Sequence, residues 1–182
     1  MRYYRQCGFT LIELMVTLAV AVILMSLAAP SFRAIMTSTS LTSQANEFLA
    51  ALNLTRSESV KRNVRVTMCK SNSGTACVTS GGWQQGWIIF VDSAAVGVEG
   101  VVNGGDEILR VRGPLSGGNT LVGQVGVANY VAYLPNGIAA QSGRWDLCGA
   151  DHTVAGRDIT LSSGSGYPAV IKDELPLVCD GS

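Results

Sequence analysis

The chain has 182 residues and carries 13 Lys plus Arg against 13 Asp plus Glu, so it is formally neutral. That length suits one domain plus an anchor. Neutrality argues against a large electrostatic footprint for nucleic acid and leaves room only for a local patch. From Asn63 onward there are 7 basic and 10 acidic residues, so the larger part of the chain is mildly acidic.

Residues 1–8 form a short basic leader with Arg2 and Arg5. Residues 9–29 follow as an apolar run of 21 residues with one formal charge, Glu13. As a helix this run rises about 31 Å, roughly one hydrocarbon thickness, and it is predicted to span a membrane. A carboxylate deep in a bilayer costs about 2.5–3.5 kcal/mol, less near the interface. A plain anchor has no use for it, so a partner charge is expected. Cleavage between Gly8 and Phe9 would supply one, because the new ammonium on Phe9 lies one helical turn before Glu13. In a lone chain the two groups partly offset each other. In a bundle of such helices, Glu13 of one chain meets the terminus of its neighbour. Two plainer readings stand beside this one: a secretory signal cut near Ser26-Leu27-Ala28, and a simple single-pass anchor. A lipoprotein signal needs a cysteine after the apolar core, whereas Cys7 precedes it.

The string Gly8-Phe9-Thr10-Leu11-Ile12-Glu13 resembles the class III signal of type IV pilins and type II secretion pseudopilins. The resemblance implies that a prepilin peptidase cuts after Gly8, that Phe9 becomes the N-methylated terminus, and that Glu13 guides docking into a growing filament.

Pro30 removes a backbone donor and is expected to kink or interrupt the helix. Beyond it Leu41, Ala45, Phe48, Leu49 and Leu52 recur at three- and four-residue steps, one face of a helix. Thr37, Ser38, Thr39, Ser43 and Gln44 populate the other face. Lys61 and Arg62 complement the helix dipole at the end. The prediction is one helix from about 9 to 62, with residues 30–62 as an amphipathic continuation laid on a head formed by residues 63–182.

In the head, short runs rich in Val, Ile, Thr, Tyr and Trp alternate with Gly, Asn and Ser clusters, the texture of short strands joined by turns. Eight strands are predicted: Val64–Lys70, Trp87–Asp92, Glu107–Arg112, Thr120–Val127, Tyr130–Leu134, Arg144–Cys148, Asp158–Ser162 and Ala169–Lys172. Pro135-Asn136-Gly137 reads as a turn, and Ser93–Gly105 as a surface loop. Trp83, Trp87 and Phe90 read as large buried side chains, Gly86 as a bulge or close approach, and Asp92 as a turn former in preference to a ligand.

Cys7 leaves with the leader. Cys69, Cys77, Cys148 and Cys179 remain, an even number that suggests disulfides in an oxidising compartment. Three pairings are possible. Proximity favours Cys69–Cys77, around Gly74, with Cys148–Cys179 tying the last segment to an internal strand. Zinc competes poorly, since there is no Cys-x-x-Cys spacing and His152 is the only histidine.

Trp83-Gln84-Gln85-Gly86-Trp87-Ile88-Ile89-Phe90-Val91-Asp92 resembles the Trp-x-x-Gly-Trp-x-x-Phe-x-Asp segment of the GspH/FimT group. Asp106-Glu107-Ile108-Leu109-Arg110 resembles its next strand, and Leu134-Pro135-Asn136-Gly137 its later Phe-x-Pro-x-Gly turn. With the leader, the resemblance covers nearly the whole chain. It implies an α+β, pilin-like fold: a long N-terminal helix, membrane-spanning in its first half, packed on a β-rich, mainly antiparallel head. It further implies a minor pilin of a type IV pilus, held in the bacterial inner membrane with its head in the periplasm and later carried into the pilus at the cell surface. Its partners would be other minor and major pilins, prepilin peptidase and the inner-membrane assembly platform. A GspH-type pseudopilin of a type II secretion system is one alternative, and a DNA-binding minor pilin for natural transformation is another.

No catalytic constellation is evident. His152 sits in a Gly-, Asp- and Thr-containing loop, Gly164-Ser165-Gly166 lacks a nucleophile-elbow context, and Asn103–Glu107 lacks the ligand spacing of a calcium loop. Neither an enzyme nor a cofactor is expected. Some FimT-type pilins resemble DNA receptors through a basic Gly-Arg-x-Arg motif near the C-terminus. The corresponding stretch here, Gly164-Ser165-Gly166-Tyr167, has no arginine. Arg144 and Arg157 are the candidate DNA contacts that remain, without the cation cluster that phosphate binding relies on.

Overall fold

The computed structural model describes residues 8–93, 99–150 and 154–172, with residues 27–31 described by their backbone alone. The chain divides into two compact units, residues 1–36 and residues 37–182.

One helix, α1, runs Leu11–Arg62. Thr10 starts it: its hydroxyl accepts the Glu13 N–H at 3.3 Å and its carbonyl accepts the Leu14 N–H at 3.2 Å, the work of an N-cap. Asn63 ends it. Asn63 has φ of 54°, the Val64 N–H reaches back to Ser59 O at 3.2 Å and the Asn63 N–H to Val60 O at 3.3 Å. This is a Schellman closure, with asparagine in the left-handed position that glycine usually takes. Of the kink or interruption expected at Pro30, the interruption does not occur: the helix continues through it. Proline deletes a single N–H donor, and the turns on either side keep their own bonds.

The eight predicted strands are all present: β1 Val66–Lys70, β2 Trp87–Val91, β3 Ile108–Arg112, β4 Thr120–Gly123 and β5 Tyr130–Tyr133 are shorter than expected, β6 Gly143–Cys148 and β8 Pro168–Lys172 each begin one residue earlier, and β7 Arg157–Leu161 is shifted back by one residue. They form two antiparallel sheets, ordered β3-β2-β1-β5 and β4-β6-β7-β8. The largest correction is β4. It stops at Gly123 because residues 124–127 turn back, with the Val127 N–H on Gln124 O at 3.0 Å and Gly126 at φ of 98°.

One core joins the helix to both sheets. Leu41, Ala45, Phe48 and Leu52 of α1 meet Val66, Met68, Trp87, Ile89, Val131 and Tyr133 of the first sheet and Leu121, Trp145, Leu147 and Ile159 of the second. Phe48 lies at its centre, with ring centroids 5.5, 5.1 and 5.2 Å from Trp83, Trp87 and Trp145 in edge-to-face arrangements. The Trp83 indole N–H donates to Val127 O at 3.1 Å. The first sheet is also covered on its far face, where Cys69, Ile88 and Phe90 form a second cluster. Trp87 and Phe90 therefore serve opposite faces of β2, as alternation requires. Gly86 is a close approach: a Cβ there would lie 2.4 Å from Arg112 O. At the Pro135-Asn136-Gly137 turn, Gly137 takes φ of 76° and donates to Leu134 O at 2.8 Å.

The polar side of the second half of α1 is not simply solvated. Gln44 is buried and bonds Ser116 O at 2.9 Å and the Asn119 amide at 2.8 Å. The expectation that Gln44 belongs to an outward polar face is thus corrected. The backbone groups of α1 are taken up within the helix, so the β3–β4 connection meets it through the Gln44 side chain.

Candidate functional site

The first unit presents apolar side chains in every direction. Phe9 is 80% exposed, and Leu11, Ile12, Leu14, Met15, Val16, Leu18, Val20, Val22, Ile23, Leu24 and Met25 are all at least half exposed. A helix that is apolar all round belongs inside an apolar medium, a bilayer or a bundle of like helices. Its hydroxyls already conform to such a medium. Thr17 Oγ1 donates to Leu14 O at 2.9 Å and Ser26 Oγ to Ile23 O at 2.7 Å, so neither needs water. Glu13 is then the one side chain of residues 11–26 whose polar atoms have no partner among the described residues. It stands exposed in the first turn, where the helix dipole favours negative charge. The Thr10-x-x-Glu13 spacing that sets this geometry is a capping signature legible in the sequence. Gly8 and Phe9 lie just outside the helix and are exposed. Among the described residues no helix is long and apolar enough to cross a membrane; the expected span, residues 9–29, extends onto side chains outside them.

In the head, Cys69 and Cys77 form a disulfide. It closes the loop after β1, which Ser71 braces by donating to Ala76 O at 2.6 Å. Lys70 reaches across the same loop to Gly81 O at 2.7 Å, and burial pushes its ammonium pKa down. Cys148 is also disulfide-bonded, with a partner outside the described residues, where both Cys179 and His152 fall.

The two DNA-contact candidates do not form a cationic patch. Arg157 is 6% exposed. Its guanidinium donates to Ala155 O at 2.7 Å, Gly156 O at 3.0 Å, and the Ser38 and Thr42 hydroxyls at 3.1 Å each. The expectation of a surface role for Arg157 is corrected: the side chain clamps α1 to the second sheet, because the helix offers hydroxyls where β7 begins. Arg144 is half exposed and faces acids, with Asp146 at 2.7 Å and Asp158 at 3.6 Å. Asp92 is structural, its carboxylate accepting the Thr67 hydroxyl at 2.7 Å and the Gly100 N–H at 3.0 Å.

Residues 44–166 match the family model described as type II transport protein GspH, and residues 3–29 match the prokaryotic N-terminal methylation motif. No curated protein matches the chain. Among solved structures, the type IV minor pilin FimU of Pseudomonas aeruginosa (strain PAO1) is similar at 17% identity and a TM-score of 0.52, over 75% of this chain and 90% of FimU. The minor pseudopilin EpsH from the type 2 secretion system of Vibrio cholerae is similar at 12% identity and a TM-score of 0.52, over 73% of this chain and 97% of EpsH. At these identities the likeness concerns the fold: a helix packed on antiparallel sheets, as the residues had implied. The family match covers well over half of the chain, including all but the last strand of the head, and the methylation motif precedes it in the same chain; the chain belongs to the GspH family of minor pilins and pseudopilins.

Proposed function

We propose that this protein is a minor pilin of a type IV pilus. It is trimmed after Gly8 by prepilin peptidase, N-methylated on Phe9 and anchored in the inner membrane by residues 9–29. Its head, residues 63–182, faces the periplasm and then travels to the pilus, near the tip, where it helps other minor and major pilins initiate assembly on the inner-membrane platform. The observation that carries this reading is that Glu13 is, among the described residues 11–26, the one polar side chain without a partner. In a medium of low dielectric, Glu13 needs a cation, and the Phe9 ammonium of an adjoining subunit supplies one of the right reach. The second disulfide in this reading is Cys148–Cys179.

Glu13→Ala tests it. Cleavage and membrane insertion should be unchanged, while recovery of the protein in sheared filaments should fall by at least about tenfold, the equivalent of a 1.4 kcal/mol loss in docking. Normal incorporation would remove the proposed role.

The family description and the likeness to EpsH support a second reading, a pseudopilin of a type II secretion system. Deletion separates the two. Loss of pili with intact protein export supports the first; intact pili with blocked export of folded proteins supports the second.

A further inference from the structure

The two outer edges of the first sheet are finished differently. Residues 138–141 close the β5 edge. The Ala140 N–H donates to Ala132 O and the Ala132 N–H to the Gln141 side chain, both at 2.8 Å, while Tyr133 bridges to Ala139. At the β3 edge, where the register with β2 shifts between Ile89 and Phe90, no backbone group of Ile108–Arg112 is bonded on the side away from β2 among the described residues. An edge left open in this way is a template for another strand.

Beside that open edge lies a cavity of about 330 Å³. Its helix wall is the stripe Glu47, Ala50, Ala51 and Leu54, at i, i+3, i+4 and i+7 on one face. The two alanines leave volume that larger side chains would occupy. Trp87 and Ile89, at 1% and 0% exposure, lie closed beneath it, and Arg110 and Arg112 line its β3 side. Both arginines are on the helix-facing side of β3, since they pair in register with Ile89 and Trp87. Arg112 is already neutralised by a two-pronged contact with Glu47 at 2.6 and 2.8 Å. Arg110 is exposed and has no hydrogen bond or ion pair among the described residues.

We propose that the β3 edge and this cavity receive an extended segment of another subunit of the same filament. The segment adds to β3 through its backbone, places an apolar side chain against Ala50, Ala51 and Leu54, and sets a carboxylate on Arg110. Charge complementarity selects the acidic side chain, because Arg110 is the rim cation that Glu47 does not satisfy. This inference rests on the reading of the chain as a filament subunit.

The test places a photoreactive phenylalanine at Ala50 in the full-length chain, with Val125, 94% exposed on the turn after β4, as the control site. Cells are irradiated, filaments are sheared off, and cross-linked peptides are identified by mass spectrometry. The expected product from Ala50 joins one acidic, extended segment of a different subunit, without a matching product from Val125. Arg110→Glu should reduce its yield about tenfold or more, since like charges across an interface cost several kcal/mol, and a lysine in place of the partner's acid should restore it. Arg110→Glu is an exposed change, so an unaltered unfolding curve should accompany the loss. Cross-links only to a second copy of this chain, only to lipid or a small molecule, or in undiminished yield with Arg110→Glu, would each overturn the proposal. A chain present in the filaments without any Ala50 product defeats this inference alone. A chain absent from every filament fraction defeats the filament reading, and this inference with it.

Discussion

Replacing Phe48 by alanine removes the ring around which Trp83, Trp87 and Trp145 are arranged. Phe48 is fully buried, and truncating such a side chain costs about 3–5 kcal/mol through lost burial and the cavity left behind. The three edge-to-face contacts at 5.1–5.5 Å are each worth about 0.5–1.5 kcal/mol beyond area. They share one ring and cannot be added in full, so they move the expectation to the upper end, about 4–5 kcal/mol. The loss is measurable by urea unfolding of the chain beginning at Thr37, a compact unit in itself. With a slope of about 2 kcal/mol per molar, the midpoint should drop by about 2 M. Tryptophan fluorescence is a suitable probe, since all three tryptophans surround this ring. Phe48→Leu keeps most of the volume and should cost only about 1–2 kcal/mol, so the comparison survives if the alanine variant does not fold. A loss under about 1 kcal/mol for Phe48→Ala, or equal losses for leucine and alanine, would refute the central position assigned to this ring.

Opening the Cys69–Cys77 bridge by a double serine substitution should cost about 2.5 kcal/mol, the loop-closure value for a loop of this size, read as a lower urea midpoint with retained strand signal. Tyr133 is fully buried and its hydroxyl has no partner among the described residues; burial raises its pKa from 10.0 to about 12, against a smaller lowering by Arg56. Its folded pKa lies above the unfolded one, so the stability it contributes is intact below pH 10 and is lost as pH climbs toward 12, by about 2–3 kcal/mol in all. Tyr133→Phe should therefore be neutral or stabilising at pH 7 and should flatten the alkaline decline in a pH series of unfolding midpoints. Arg157→Ala should cost about 2–3 kcal/mol by stranding the groups its guanidinium now satisfies, whereas Arg144→Ala, at a half-exposed ion pair, should stay within about 1 kcal/mol; equal effects in thermal unfolding would contradict the inward placement of Arg157.

Periodicity carried the local elements far. The three-and-four spacing of Leu41, Ala45, Phe48 and Leu52 identifies the buried helix face because a helix returns to the same side at that step. β-branched and aromatic runs between turn residues mark the eight strands, because such side chains suit a pleated, half-buried surface. Glu13 is conspicuous because it is the one formal charge in the 21-residue run 9–29. These are properties of the chain over a few turns or a few residues, and short-range physics suffices to read them.

What needed the folded molecule was every question of partnership across distance. Nothing local told Gln44 and Arg157 apart from solvated polar residues. They are buried because Asn119, Ser116, Ser38 and Thr42 converge on them from positions more than 70 residues away in the chain. Sheet order is likewise a matter of which strand ends up beside which. Only that order reveals β5 as a sealed edge and β3 as an open one, because a strand's own residues do not encode whether its outer backbone groups find a partner.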